Sequence, residues 1–384
     1  MDFHLDVLLN LPNVTVETCS MLEGNVCLQI DLLNRGIACS NCGNYTEEIH
    51  QVYSTLVRDL PVFGNTVYLK VPKRQFYCQA CQTYRTERLD FIDWKRRHTR
   101  RYEENIYQRV KNSSIEQISR EEQLSYDEIQ GIFNHLSAEI KKKDWGQPKR
   151  LSIDEFSMRK GHKDFVTTVA NIDNGELLEI IDSHKQQEII EVLIQQPLEV
   201  RALVVEVSVD MWGGFTKVIE TVFPNAVVVY DRFHIMKKVN EELNKFRKKT
   251  GIVVRGSKYL LLKNGADLKP DEKNKLEQLL SNSICLRFAY EFKEELRDIY
   301  ETSENVKSGQ IRLKKWLENA QVFFRDSVGT IRNHFEGICN YFISRSTSGV
   351  MEGINTRIKL IMRQGYGFSN FDNFRSRLMA CFSD

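Results

Sequence analysis

Residues 151–156 read Leu-Ser-Ile-Asp-Glu-Phe, and residues 204–210 read Val-Val-Glu-Val-Ser-Val-Asp. Short, β-branched apolar runs of this kind predict strands of a buried sheet. Each run carries or ends in an aspartate, Asp154 or Asp210. A carboxylate inside or at the mouth of apolar strands costs free energy unless it is paired or bound to a cation. Two such positions in one sheet point to a shared cation, and hard oxygen ligands suit Mg²⁺ or Mn²⁺.

Working outward, Phe165–Ile172 and Glu176–Ile181 are predicted strands, joined by the turn Asp173-Asn174-Gly175. A helix follows at Gln186–Gln195, a strand at Ala202–Val209, a helix at Gly214–Phe223 and a strand at Ala226–Tyr230. Meandering strands followed by alternating helices and strands predict a mixed α/β sheet. Residues 236–345 show helical spacing, as in Phe288, Phe292, Leu296 and Ile299, and read as a helical insertion. A last helix begins near Gly349 and is closed by Gly365-Tyr366-Gly367.

That last helix supplies a third acid. Glu352, Thr356, Lys359 and Arg363 share one face, while Val350, Ile354, Ile358 and Ile361 lie roughly opposite. A carboxylate beside two cations suits a metal ion next to a phosphate backbone. Phosphodiester transfer needs an activated water or 3′-hydroxyl and charge stabilisation at the leaving oxygen, and carboxylate-bridged metal ions provide both. Asp231, in Asp231-Arg-Phe-His234, is the rival metal ligand. His234 would orient water or contact the scissile phosphate; a structural histidine is the alternative. For any one of these acids alone, a helix cap or surface charge is the simpler reading.

The N-terminal part has a different texture. Val26–Asp31 and Thr66–Val71 are predicted strands, and residues 1–90 read as strands and turns. Cys39-Ser-Asn-Cys42 and Cys78-Gln-Ala-Cys81 offer four thiolates for a tetrahedral, structural Zn²⁺ site. The gap between the pairs exceeds the usual spacing of about 15–20 residues, and a hairpin within Tyr53–Val71 would fill it. Two unrelated cysteine pairs are the alternative.

Residues 91–146 read as a helix-turn-helix unit. Ser114-x-x-Gln117 and Ser125-x-x-Glu128 are capping-box signatures that start two helices, and a helix at 101–112 precedes them. The second capped helix, about 126–140, is the expected groove reader, with Gln130 and Asn134 among its exposed polar positions. Arg96, Arg97, Arg100 and Arg101, in the run Lys95–Arg101, and the run Lys141–Lys143 are expected to touch phosphates. A small helical bundle joining two domains is the alternative.

Composition agrees with a polyanionic partner, with ordinary solvated faces as the alternative for any one basic run. The 384 residues are 41% hydrophobic and 28% charged, yet net charge is only +2, so basic blocks are offset elsewhere. Nine cysteines in a chain without a long apolar stretch or signal peptide fit a reducing cytoplasm and metal rather than disulfides, with no membrane partner.

Together the blocks resemble a known family. Ser152–His162, Ser208–Phe215, Tyr230–Ile235, Gly349–Ile361 and Gly365–Asn370 are similar to the catalytic blocks of bacterial insertion-sequence transposases of the ISL3 family. The order of zinc-binding, helix-turn-helix and catalytic regions matches too, over nearly the whole chain. The resemblance implies a multidomain α+β protein: a zinc-binding β-rich domain at 1–90 and a helix-turn-helix domain at 91–146. A ribonuclease-H-like α/β core follows at 147–235 and 346–384, interrupted by a helical insertion at 236–345. It implies a DDE triad of Asp154, Asp210 and Glu352 holding Mg²⁺ or Mn²⁺, and Zn²⁺ on Cys39, Cys42, Cys78 and Cys81. It implies cleavage and strand transfer at terminal inverted repeats. The partners would be double-stranded element ends and target DNA, with at least a homodimer in the synaptic complex, in the nucleoid of a bacterial cytoplasm. The alternatives are a DNA-binding regulator with an inactive nuclease-like core, and a nuclease or resolvase that does not transfer strands.

Overall fold

A computed structural model describes residues 3–138, 144–159, 163–211, 214–345, 349–368 and 370–383. The chain divides into two compact units. One comprises Met1–Lys142 with Met362–Phe382, the other Lys143–Ile361.

The first unit begins with a helix at Phe3–Leu9, too short to show a period in sequence. Strands β1 (Val14–Leu22) and β2 (Asn25–Leu32) form a hairpin; β3 (Ile37–Ala38) and β4 (Tyr45–Thr46) form a small one. The long hairpin β5 (Ile49–Val62) and β6 (Asn65–Cys78) follows, then β7 (Thr83–Thr86). The main sheet runs β1-β2-β6-β5 with β7 on β6, and only β2 and β6 pair in parallel. The predicted strands at 26–31 and 66–71 fall inside β2 and β6. Gly24 and Gly64 close the two large hairpins at φ +80°, each after a residue also at positive φ, Glu23 or Phe63. That is the turn chemistry that matches strand twist. Leu9, Ile30, Val57, Leu69, Val71 and Phe91 make the core on one face.

Three helices follow in the same unit, Arg100–Asn112, Ile115–Glu122 and Tyr126–Ser137. The predicted caps form: Ser114 Oγ accepts from Gln117 N at 3.1 Å, and Ser125 Oγ from Glu128 N at 3.2 Å. Gln123 takes the left-handed conformation that ends the middle helix. Tyr102, Ile106, Val110, Ile118, Ile129, Ile132 and Phe133 pack between the helices. A fourth helix, Phe371–Cys381, joins them through Ala380; its Arg377 stacks 5.7 Å from the Phe133 ring centre and donates to Ser113 O at 2.5 Å. The helix expected to read a groove, to about residue 140, ends at Ser137, and the run Lys141–Lys143 lies outside the described residues.

The second unit is built on β8 (Arg150–Arg159), β9 (Lys163–Asn171), β10 (Glu176–Ile181), β11 (Glu206–Val209) and β12 (Val227–Tyr230), in the order β10-β9-β8-β11-β12. β8, β9 and β10 are antiparallel neighbours, while β11 is parallel to both β8 and β12. The strand expected over Ala202–Val209 is shorter: Leu198–Leu203 is helical and β11 begins at Glu206. The helix Leu198–Leu203 has no fully buried residue and touches the core through half-buried Val200, so Ala202 and Leu203 end a helix rather than start a strand. From Arg232 to Ser344 every described element is helical, around Leu243, Leu286, Leu296, Trp316 and Phe324. Gly309 lets the Phe342 ring approach, since a Cβ there would sit 2.4 Å from it.

Candidate active site and metal centre

Strand register brings the two aspartates side by side. In parallel pairing Val209 on β11 is opposite Ile153 on β8, so Asp210, just past the carboxyl end of β11, comes beside Asp154, in the middle of the longer β8. Ligands of α/β sheets collect beyond the carboxyl ends of strands. Val209 also pairs with Tyr230 on β12, which brings Asp231 to the same edge.

The helix Gly349–Gln364 supplies the opposing wall. Met351, Ile354, Ile358 and Ile361 are buried, and Glu352 and Lys359 are exposed, as the predicted helix face requires. Its end is a Schellman motif: Gly367 N donates to Met362 O at 2.9 Å and Tyr366 N to Arg363 O at 3.1 Å, with Tyr366 rather than a glycine in the left-handed position.

Asp154, Asp210, Asp231, His234, Glu352, Asn355 and Lys359 all line one cleft of about 210 Å³. Asp154 Oδ2 accepts from Asn355 Nδ2 at 2.7 Å, and Oδ1 from its neighbour Glu155 N at 2.9 Å. Asp210 Oδ1 accepts from Met211 N at 2.5 Å and faces His234 Nδ1 at 3.2 Å. Burial pushes the Asp154 carboxyl above the ordinary range against the Asn355 bond, and the Asp210 charge adds to that. Asp231 caps the helix Arg232–Lys249, accepting from Phe233 N at 2.9 Å, which is the structural role a buried aspartate at a strand end can fill. Asn355 is the residue that sequence reasoning missed. Its only signal is its place one turn beyond Glu352 on the same helix.

The cleft's donors are hard oxygens beside a protonatable imidazole, which suits a divalent cation. The ligand oxygens of Asp154, Asp210 and Glu352 do not all lie within 4.8 Å of one another, whereas the four thiols do.

Those thiols, Cys39, Cys42, Cys78 and Cys81, come together on two knuckles. Cys39 Sγ lies 3.5 Å from Cys81 Sγ, and Cys42 Sγ 3.5 Å from Cys78 Sγ. Tetrahedral zinc–sulfur bonds of about 2.3 Å place sulfurs at about 3.8 Å, so the cluster fits Zn²⁺. Gly43 at φ +76° and the bond Gly43 N to Cys39 O, 2.8 Å, shape the first knuckle. Thr46 Oγ1 ties it to the second by donating to Tyr77 O at 2.7 Å. Backbone N–H groups of Asn41 and Cys42 lower the Cys39 thiol to about 6, and the Thr83 hydroxyl lowers Cys81.

The residues expected to contact DNA divide into two kinds. Arg96 pairs with Glu103 at 2.7 Å, Arg100 with Asp93 at 2.6 Å, and Arg101 with Asp59 and with Leu9 O. Three guanidiniums are thus engaged inside the unit. Arg97 is exposed, as are Asn134, Lys359 and Arg363; Gln130 is half-buried and donates to Asn134 Oδ1 at 2.9 Å. Among the described residues no helix is long and apolar enough to cross a membrane.

Comparison with known proteins agrees with these modules. Residues 151–378, more than half of the chain, match an ISL3 family described as transposase. Residues 35–81 match the zinc-finger of transposase IS204/IS1001/IS1096/IS1165, and residues 87–137 the helix-turn-helix domain of transposase family ISL3. The transposase for insertion sequence element IS1001 of Bordetella parapertussis is 26% identical over 360 residues, covering 90% of this chain and 88% of its own. The transposase for insertion sequence element IS1557 of Mycobacterium tuberculosis (strain CDC 1551 / Oshkosh) is 24% identical over 255 residues, 57% of each chain.

Proposed function

The chain belongs to the ISL3 family of transposases, and from that premise we propose that it binds the terminal inverted repeats of an insertion sequence and catalyses metal-dependent cleavage and strand transfer. The observation that carries the reading is the single cleft that gathers Asp154, Asp210 and Glu352 from two adjacent strands and a distant helix.

In this reading residues 147–235 and 346–361 belong to a ribonuclease-H-like core, and 236–345 are a helical insertion; of the stretch 346–384 expected in that core, Met362–Phe382 falls in the first unit instead. The strand order with an antiparallel meander and two parallel additions supports it. Asp154, Asp210 and Glu352 would hold Mg²⁺ or Mn²⁺, which supplies Lewis acidity at the attacking and leaving oxygens. Asn355 holds Asp154 in position, and His234 fixes the rotamer of Asp210. Lys359 and Arg363, exposed along one helix, take phosphates of the bound strand. The helix Tyr126–Ser137 reads the groove through Gln130 and Asn134, with Arg97 on the backbone. Element ends and target DNA are the substrates, and pairing two ends requires at least a homodimer, acting at the bacterial nucleoid.

The test is a joining reaction with purified protein, pre-nicked end-repeat duplex, target plasmid and Mg²⁺. Joined product supports the proposal. Sequence-specific binding without cutting or joining, in Mg²⁺ and in Mn²⁺, would replace it with a DNA-binding regulator.

A further inference from the structure

Another group of ligand-type side chains lies in the first unit, away from the four cysteines. Asp93 sits in the segment before the helix Arg100–Asn112, Glu103 in that helix's first turn, and His135 in the last turn of Tyr126–Ser137. His135 Nε2 is 3.0 Å from Asp93 Oδ2 and 3.9 Å from Glu103 Oε2, and the three ligand atoms lie within 4.8 Å of one another.

Each carboxylate is held by its outer oxygen. Arg100 donates to Asp93 Oδ1 at 2.8 Å, and Arg96 to Glu103 Oε1 at 2.7 Å. The inner oxygens are thereby turned toward His135. The Glu103 side chain is only 1% exposed, and its Oε2 has no hydrogen-bond partner among the described residues. Burying a carboxylate oxygen without a partner is costly, so this atom asks for a ligand. His98 lies behind the group, its Nδ1 3.5 Å from Glu103 Oε1 and its Nε2 3.3 Å from Glu128 Oε1.

We infer that Asp93, Glu103 and His135 form a second metal site that takes a Zn²⁺-type ion through Asp93 Oδ2, Glu103 Oε2 and His135 Nε2. Bonds of about 2.0–2.2 Å in a tetrahedron put ligand atoms about 3.3 Å apart, between the two separations from His135. One imidazole with two carboxylates suits zinc rather than Mg²⁺. The arginines on the outer oxygens act as second-sphere orienters, as around many bound metals. Asp93 and His135 are partly exposed, which leaves an entry path and room for water as fourth ligand. The ion would clamp the candidate groove-reading helix to the segment that precedes the first helix. Metal occupancy would thus tune how firmly that helix is held.

The experiment titrates the full-length, metal-free chain with Co²⁺ and follows its absorption spectrum. The four-cysteine site gives intense sulfur-to-cobalt charge transfer in the near ultraviolet. The second site gives only weaker visible ligand-field bands. The wild type is expected to saturate those visible bands at a second equivalent, with no further charge transfer. His135→Ala abolishes the second equivalent, and Asp93→Asn weakens it at least about tenfold. Asp210→Asn retains it, which separates this site from the acid cleft. Far-ultraviolet circular dichroism checks the fold, and if His135→Ala is misfolded the isosteric Asp93→Asn decides. Saturation of the wild type at one equivalent overturns the inference; a direct hydrogen bond between His135 and Asp93 would then account for the contact. Retention of the second equivalent at wild-type affinity in either variant, or its loss in Asp210→Asn, overturns it equally.

Discussion

Asn355 Nδ2 donates a 2.7 Å hydrogen bond to Oδ2 of Asp154, joining the last helix of the second unit to its first strand. The bond fixes one carboxylate oxygen and leaves the orientation of the other to Glu155 N. Groups that orient a metal ligand are worth about 10–100-fold in metal affinity or activity. Asn355→Ala is therefore expected to slow strand transfer by about that factor and to raise the Mg²⁺ concentration for half-maximal rate. Excess Mg²⁺ should restore much of the loss. A purely structural role would lower the amount of active enzyme without moving the Mg²⁺ dependence.

Asp154 has a pH signature. Burial, with a contribution from Asp210, raises its pKa above the ordinary carboxylate value. The sign follows from linkage: a raised carboxyl favours the folded state while protonated, and that contribution is lost as pH rises through the folded pKa. Asp154→Asn should thus melt at a higher temperature than wild type at neutral pH in Mg²⁺-free, zinc-retaining buffer. The gap should close below the ordinary carboxylate range, where both side chains are neutral. Equal melting temperatures at neutral pH would remove the burial argument.

The zinc knuckles supply a third expectation. Cys39 is lowered to about 6, while Cys42 is raised to about 12: its neighbouring thiols and burial outweigh the Asn44 backbone N–H that lowers it. The cluster therefore needs a cation to hold four thiolates together. Removing zinc with a strong chelator should loosen the segment from β3 to β7 and abolish specific DNA binding. Hydrogen exchange would locate the change. Unaltered protection at Tyr77 and Cys78 would contradict it.

Arg74 and Glu87 form a buried bidentate pair at 2.7 Å, and Arg74 also donates to Asn34 O at 2.7 Å. Breaking one half of such a pair leaves an uncompensated buried charge and costs about 3–5 kcal/mol. Glu87→Ala should destabilise the first unit by that amount in denaturant melts, whereas a loss under about 1 kcal/mol would mean that water reaches the arginine.

Much of this architecture was legible in local letters. The caps at Ser114 and Ser125, the paired CxxC knuckles and the apolar strands before Asp154, Asp210 and Asp231 all depend on neighbours within a few residues. The buried stripe of the Glu352 helix follows from its period, apart from Met351, which is buried where Val350 was expected. Non-local pairing was not legible. The Lys95–Arg101 run reads as a phosphate strip, yet Arg96, Arg100 and Arg101 find Glu103, Asp93 and Asp59. Likewise the bond from Asn355 to Asp154 and the grouping of Asp93, Glu103 and His135 join residues far apart in the chain. Ala202–Val205 shows the opposite failure: apolar letters read as the start of a strand, yet Ala202 and Leu203 end a helix and the strand begins at Glu206.

The most direct test of the proposed chemistry compares wild type with Asp154→Asn, Asp210→Asn and Glu352→Gln in the Mg²⁺-dependent joining of a pre-nicked end to a target plasmid. Binding to the end repeat is measured alongside. The expected result is joined product from wild type alone, with all three variants binding the repeat as tightly as wild type. Joining that persists in any one of them would show that the residue is not part of the catalytic triad.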